Sequence, residues 1–83
     1  MFNIKGKRLV ITKSAWHEMD ELGLSVQKVI RIIEEGVRTL ESPKAGKWLA
    51  QGSIGKKFIL VRYVELPNAV VVINIGQTTR RVL

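Results

Sequence analysis

Apolar residues recur with two different periods along this chain, one in each half. In the first half they lie three or four positions apart, which is the spacing of a buried helical face. This spacing predicts two amphipathic helices. The first face comprises Ala15, Trp16, Met19 and Leu22, and the second comprises Val26, Val29, Ile30, Ile33 and Val37.

Capping residues mark where these helices begin and end. Thr12 and Ser14 carry hydroxyl groups that suit the N-terminus of the first helix, and Ser25 suits the N-terminus of the second. Gly23 fits the position after the first helix, because glycine adopts a left-handed backbone without a Cβ clash. Gly36 is expected to end the second helix. The very short connection predicts an antiparallel helix pair or a tight corner.

After Pro43 the apolar period shortens to about two, which is typical of β-strands. The last strand is apolar on both faces, which predicts a central position in the sheet. Pro67 and Asn68 favour a hairpin turn before it. We expect strands at 47–51, 57–65 and 70–75, turns at 52–55 and 66–69, and a shorter strand at 8–12.

Helices followed by strands predict one α+β domain over residues 1–83, with the helix pair covering one face of the sheet. The chain is 46% hydrophobic and 25% charged, which excludes a disordered tail. It contains no cysteine, which excludes a disulfide scaffold and a thiolate metal site. The longest apolar run, at 69–73, is far shorter than the roughly 20 residues of a membrane span. With no apolar leader stretch at the start, we expect a cytoplasmic protein without membrane contact.

The net charge of +7 is distributed unevenly. Residues 1–17 carry +4, residues 18–41 carry −3, and residues 42–83 carry +6. A domain this small does not need such an excess to stay in solution, so the charge predicts a polyanionic partner, most plausibly RNA. The alternative is a charged surface that serves solubility alone.

Basic side chains lie beside aromatic ones in the second half, which suits single-stranded nucleic acid, whose phosphates take charge and whose bases stack. Arg62 lies within an apolar strand, and strand alternation places either Arg62 or Tyr63 on the open sheet face. We expect Lys47 and Trp48 to share one end of the hairpin with Lys56 and Lys57. The alternative interpretation is that the lysines are solvated residues at a hairpin tip. Arg62 would then be a surface residue whose side-chain stem packs on the sheet. The predicted nucleic-acid-binding residues are Lys47, Trp48, Lys56, Lys57, Arg62, Tyr63, Arg80 and Arg81.

Two further candidate sites are weaker. His17 is the only histidine, and we interpret it as a solvated side chain, with a general-base role as the alternative. The glycine and lysine residues at 52–57 look like a phosphate-binding loop, but they precede a strand where such a loop precedes a helix. No metal or other cofactor is expected.

The C-terminal segment 70–83, in which an apolar strand runs into Gly76 and then into a polar and basic cluster, resembles the end of RelE/ParE superfamily toxins. Residues 55–63 are similar to the preceding strand of that family, and residues 11–25 to a small branch grouped with it. The resemblance implies two N-terminal helices on a twisted antiparallel sheet of three to four strands. It also implies an acidic antitoxin partner and either cleavage of ribosome-bound mRNA or poisoning of gyrase.

Four positions depart from the family pattern. Ser14 and Gln77 stand where histidine is common, Glu18 replaces an arginine, and Leu83 replaces a closing tyrosine. Each change removes a group that relatives use near the reacting RNA. The remaining candidate catalytic residues are Arg62, Arg80 and Arg81, whose charge can stabilise a developing anion.

The leading prediction is therefore an RNA-binding toxin-fold protein with weak or degenerate endoribonuclease activity in a toxin–antitoxin system. A non-catalytic nucleic-acid-binding module is one alternative. A protein-interaction domain for an acidic partner, or for a second copy of itself, is the other. Shared fold alone does not decide among these.

Overall fold

The computed structural model describes residues 2–83 as one mixed sheet with two helices. The sheet order is β1-β2-β6-β5-β4-β3, in which β2 and β6 are parallel and all other neighbours antiparallel. The strands are β1 (Asn3–Ile4), β2 (Lys7–Ile11), β3 (Val37–Ser42), β4 (Lys47–Ile54), β5 (Lys57–Glu65) and β6 (Ala69–Thr78), and the helices are α1 (Lys13–Leu22) and α2 (Val26–Glu35).

The predicted α+β fold, with two N-terminal helices on an antiparallel sheet of three to four strands, is wrong. The described sheet has six strands, and it is mixed because β2 pairs in parallel with β6. The sequence analysis did not predict β3. This edge strand is exposed on both faces along nearly its whole length, so it lacks the alternation of apolar and polar residues that indicates a strand. The prediction that Val37 extends the helical face is also wrong, since Val37 begins β3.

The predicted capping residues Thr12, Gly23, Ser25 and Gly36 are confirmed by the capping geometry. The Thr12 hydroxyl accepts a hydrogen bond from the amide of Ala15 at 3.2 Å, and Ser25 caps α2 in the same way. Gly23 adopts a left-handed backbone with φ of 67° after α1. At Gly36 a Cβ would collide with the carbonyl oxygen of Gln51, so only glycine lets the chain pass from α2 into β3 here.

The two sheet faces have different roles. Helix α1 packs on β6, and α2 packs on β4 and β5, so both helices cover the same face. On β5 that face carries Ile59, Val61 and Tyr63, which are all buried. Alternation therefore places Phe58 and Arg62 on the opposite face. Of the two residues that the sequence offered for the open face, it is Arg62 that lies there, and Tyr63 lies beneath the helices.

A hydrogen bond from β6 to Glu18 connects the sheet to α1, close to a register shift in β6. The register shifts where Arg62 pairs with Asn74 and the next residue, Tyr63, pairs with Val72. The Ile75 amide beside this shift donates to a carboxylate oxygen of Glu18 at 2.8 Å. Glu18, one of the positions that departs from the toxin pattern, thus accepts a backbone hydrogen bond from β6 beyond the end of β2, which pairs with β6 only as far as Val72.

Both helices have ten residues. No helix within residues 2–83 is long and apolar enough to cross a membrane.

Candidate nucleic-acid interface

The predicted binding residues separate to the two ends of the β4–β5 hairpin. Lys47 pairs with Val64, whereas Ile54 pairs with Lys57 beside the turn. Ile54 lies seven positions after Lys47 along β4, a span of roughly 23 Å. The expectation that Lys47 and Trp48 share one end with Lys56 and Lys57 is therefore wrong.

The aromatic side chains Trp48 and Tyr63 pack within the protein. They lie opposite each other on the helix-covered face, where Tyr63 is 0% exposed. The Arg38 guanidinium lies 5.0 Å from the centroid of the Trp48 ring and donates to the Tyr63 hydroxyl at 3.4 Å. Tyr63 thus has no exposed ring on which a base can stack, which corrects its predicted role.

Arg62 lies in the middle of the open face, away from the hairpin turn. Its Nε atom is 3.2 Å from a carboxylate oxygen of Glu41 on the edge strand β3. Opposite charges at this distance offset each other, so Arg62 presents less charge to a ligand than the sequence suggests. The predicted catalytic set of Arg62, Arg80 and Arg81 is therefore divided between the sheet centre and the segment after β6.

The end of the molecule that holds the hairpin turn has two adjoining clefts. The first, called the helix–sheet cleft, has a volume of about 290 Å³ and lies between α2 and the nearby ends of β3, β4 and β5. Lys28, Arg31, Phe58 and Arg81 contribute to its walls. The cleft therefore combines three cations with an aromatic ring.

The second cleft, called the corner cleft, has a volume of about 400 Å³. It lies between the α1–α2 corner at residues 22–25 and the ends of β4, β5 and β6. Lys28 and Lys57 line it together with several aliphatic side chains. Because Lys28 borders both clefts, the two form one continuous surface.

Most cations at this end lack an ion-pair partner among the described residues. Arg31 is the exception, since its Nε lies 3.4 Å from a carboxylate oxygen of Glu35 on the exposed surface of α2. Elsewhere, Glu65 pairs with Lys5 and Lys7. The basic end is defined as the surface of both clefts together with Lys56 in the hairpin turn and Arg80 beside Arg81. Its cations are Lys28, Arg31, Lys56, Lys57, Arg80 and Arg81.

Gln51 holds the segment 79–83 against the open face of the sheet. Its side-chain oxygen accepts hydrogen bonds from the amides of Val82 at 2.7 Å and Leu83 at 2.9 Å. Its side-chain nitrogen donates to the carbonyl oxygen of Leu83 at 3.4 Å. Gln51 is only 5% exposed, and the same segment sets the Arg81 guanidinium 5.6 Å from the Phe58 ring centroid.

The sequence-based prediction missed Lys28, Arg31 and Gln51. Lys28 and Arg31 lie three residues apart on the polar side of α2, so helical spacing alone indicates that they are neighbours. They were left out of the predicted site because they belong to residues 18–41, where acidic residues outnumber basic ones. Gln51 has no sequence signal, because its role depends on a segment about thirty residues away.

His17 lies outside the basic end. Its Nε2 atom is 2.7 Å from a carboxylate oxygen of Glu21, and its side chain is 75% exposed. This agrees with the interpretation of His17 as a solvated residue. Residues 2–83 contain no cluster of three or more histidine, aspartate or glutamate side chains able to hold a metal ion.

Comparison with known proteins gives no relative for this chain: no family model matches it, and no curated protein or solved structure is significantly similar. The resemblance to the RelE/ParE superfamily therefore stays a prediction.

Proposed function

We propose that the basic end binds single-stranded RNA in the cytoplasm. The observation that carries this proposal is the convergence of cations from three separate parts of the chain around two adjoining clefts. Helix α2, the hairpin turn and the segment after β6 each contribute, although they are distant in sequence. Such a concentration of unpaired charge attracts phosphate groups and releases their counterions.

The arrangement favours a single strand over a duplex or an acidic protein. Phe58 beneath Arg81 supplies a stacking platform, and both clefts are concave enough to admit groups that a duplex keeps stacked. An acidic protein is attracted by the same charge, whereas a single strand adds unpaired bases that stack on an aromatic ring. A single strand uses both.

The proposal is binding without rapid cleavage. General acid and base groups contribute typically about 10²- to 10⁴-fold to such reactions. The carboxylate of Glu35 lines the helix–sheet cleft but pairs with Arg31, and His17 lies elsewhere. A toxin role on ribosome-bound mRNA, with an acidic antitoxin, is a further proposal. Sizing labelled RNA after incubation with and without ribosomes tests it.

The binding proposal is tested with a matched pair of charge changes. Lys56→Gln/Lys57→Gln removes two positive charges from the basic end, and Lys44→Gln/Lys47→Gln removes two from the opposite end of the sheet. In fluorescence anisotropy with a labelled single-stranded RNA, the first pair should weaken binding about tenfold. Its salt dependence, as the slope of log K against log salt, should fall by about 1.4, since each lost phosphate contact removes about 0.7.

The control pair should change the affinity by less than about twofold. Equal losses for the two pairs would show that the whole surface attracts RNA without a site. An affinity that is insensitive to salt would contradict phosphate binding altogether.

A further inference from the structure

The corner cleft has apolar walls that the protein itself leaves partly uncovered. Leu22, Leu24 and Ile54 pack against the core, yet each keeps part of its surface exposed. All three line the cleft, together with the buried Ile59. Exposed aliphatic surface around a concave site is typical of pockets for small organic groups, and about 400 Å³ lies within their usual size range.

The polar groups of the same cleft are few and specific. Lys28 and Lys57 bring two ammonium groups that make no ion pair among the described residues. None of the residues that line the cleft carries a carboxylate. The Ser25 hydroxyl oxygen accepts a hydrogen bond from the backbone amide of Lys28 at 3.1 Å. Gln77 is exposed, and its amide offers both donors and acceptors.

We propose that the corner cleft accepts one unstacked base of a single-stranded RNA. The aliphatic walls contact the faces of the base, Lys28 and Lys57 bind the flanking phosphates, and the Gln77 amide reads the edge of the base. This inference rests on the proposed function and assigns a specific subsite to it. It gives the protein a means of preferring some bases, which a purely electrostatic surface lacks.

Charge and continuity favour a nucleotide as the occupant. A free phosphate would satisfy the two lysines but leave the aliphatic walls in water. A base with its phosphate covers both, because apolar side chains and cations together hold extruded bases in other nucleic-acid sites. Since Lys28 also borders the helix–sheet cleft, the next nucleotide of the strand can reach Phe58 and Arg81.

The first test uses the unaltered protein and compares two ligands of equal charge. An eight-nucleotide RNA is titrated beside an abasic ribose–phosphate chain with the same number of phosphates. We expect the RNA with bases to bind about tenfold more tightly, near the lower end of what one stacked base contributes. Equal affinities would overturn the base subsite while leaving phosphate binding intact. If neither ligand binds, the proposed function itself fails.

The second test uses a substitution that leaves the net charge unchanged to find which residue sets the preference among the four bases. Gln77→Leu is compared with Gln27→Leu, an equally exposed amide on α2 that does not line the cleft. Across oligomers of the four bases, Gln77→Leu should change the affinity ratio between the best and worst base by about fivefold or more. The salt slope should stay the same, because no charge is removed.

Gln27→Leu should preserve the ranking of the four oligomers. A ranking that Gln77→Leu also leaves unchanged would overturn the assignment of base recognition to the corner cleft. Circular dichroism spectra of both variants verify the fold, and since both side chains are exposed, neither change disturbs the core.

Discussion

The two ends of the sheet both carry cations, but they use them differently. At the end where β4 begins and β5 finishes, Lys5 and Lys7 lie 3.8 and 3.6 Å from the carboxylate oxygens of Glu65. Nearby, Arg38 packs on Trp48 and donates to Tyr63. At the basic end, by contrast, Lys28, Lys57 and Arg81 line clefts and form no ion pair within residues 2–83, and only Arg31 pairs with a carboxylate, that of Glu35.

The comparison shows why total charge is a weak guide to a binding site. A cation that already faces a carboxylate, or that donates to a buried hydroxyl as Arg38 does, gains less from a phosphate because that contact must first be given up. A cation beside an open cleft gains the full interaction. The two ends therefore differ in the pairing of Lys5, Lys7 and Arg38 and in the presence of clefts. Lys44 and Lys47 at the first end form no ion pair within residues 2–83, but they line neither cleft.

The largest expected effect concerns the core that supports both ends. Ile33 is fully buried on α2, and Ile33→Ala should lower the free energy of unfolding by roughly 2–5 kcal/mol. Ile30 is partly exposed, so Ile30→Ala should cost clearly less. Urea denaturation measures both variants. Equal losses would mean that the α2 face is turned differently against the sheet.

The next largest effect is expected on RNA binding when one arginine, Arg81, is replaced, and Arg38 at the other end of the sheet serves as its control. Arg81→Gln should weaken RNA binding by about tenfold, since it removes both a cation and the group that packs over Phe58. Arg38→Gln removes the same charge beside Trp48 and should change RNA binding by less than about twofold. Anisotropy titrations at one salt concentration compare them. A larger loss for Arg38→Gln would move the binding surface to the other end.

A neutral residue should affect binding through Arg81. Gln51→Leu removes the hydrogen bonds that hold Val82 and Leu83, so Arg81 should lose its position over Phe58. We expect RNA affinity to fall about fivefold without any change of net charge, because the released segment must be reordered on binding.

The double variant Gln51→Leu/Arg81→Gln should bind about as well as Arg81→Gln alone, because the two residues act through one contact. Losses that multiply would show that Gln51 acts independently of Arg81. A thermal melt of Gln51→Leu separates any loss of stability from the loss of binding.

The smallest effects are expected at Arg62, one of the three candidate catalytic residues, and at His17, for which a general-base role was the alternative interpretation. Arg62→Ala breaks an ion pair with Glu41 that is partly exposed, and such pairs contribute about 0–1 kcal/mol to stability. Its effect on RNA binding should be below about twofold, because Arg62 lies away from both clefts. His17→Ala should change neither binding nor cleavage. A rapid RNA cleavage that His17→Ala abolishes would instead place an active site on α1.

Local chemistry made part of this fold predictable. The caps at Thr12 and Ser25, the left-handed Gly23 and the strand over 57–65 all follow from preferences that act within a few residues. For the same reason, Lys56 and Lys57 could be expected together beside a hairpin turn. These features depend on neighbours in the chain, so the sequence by itself determined them.

Only the tertiary structure decided which cations remain free and which surfaces surround them. Strand register separates Lys47 from Lys57, and the edge strand β3 brings Glu41 to Arg62. The packing of α2 carries Lys28 into both clefts, although it belongs to the acidic third of the chain. Ion pairs and clefts form between residues that are distant in sequence, and their energies depend on separations that no local pattern encodes.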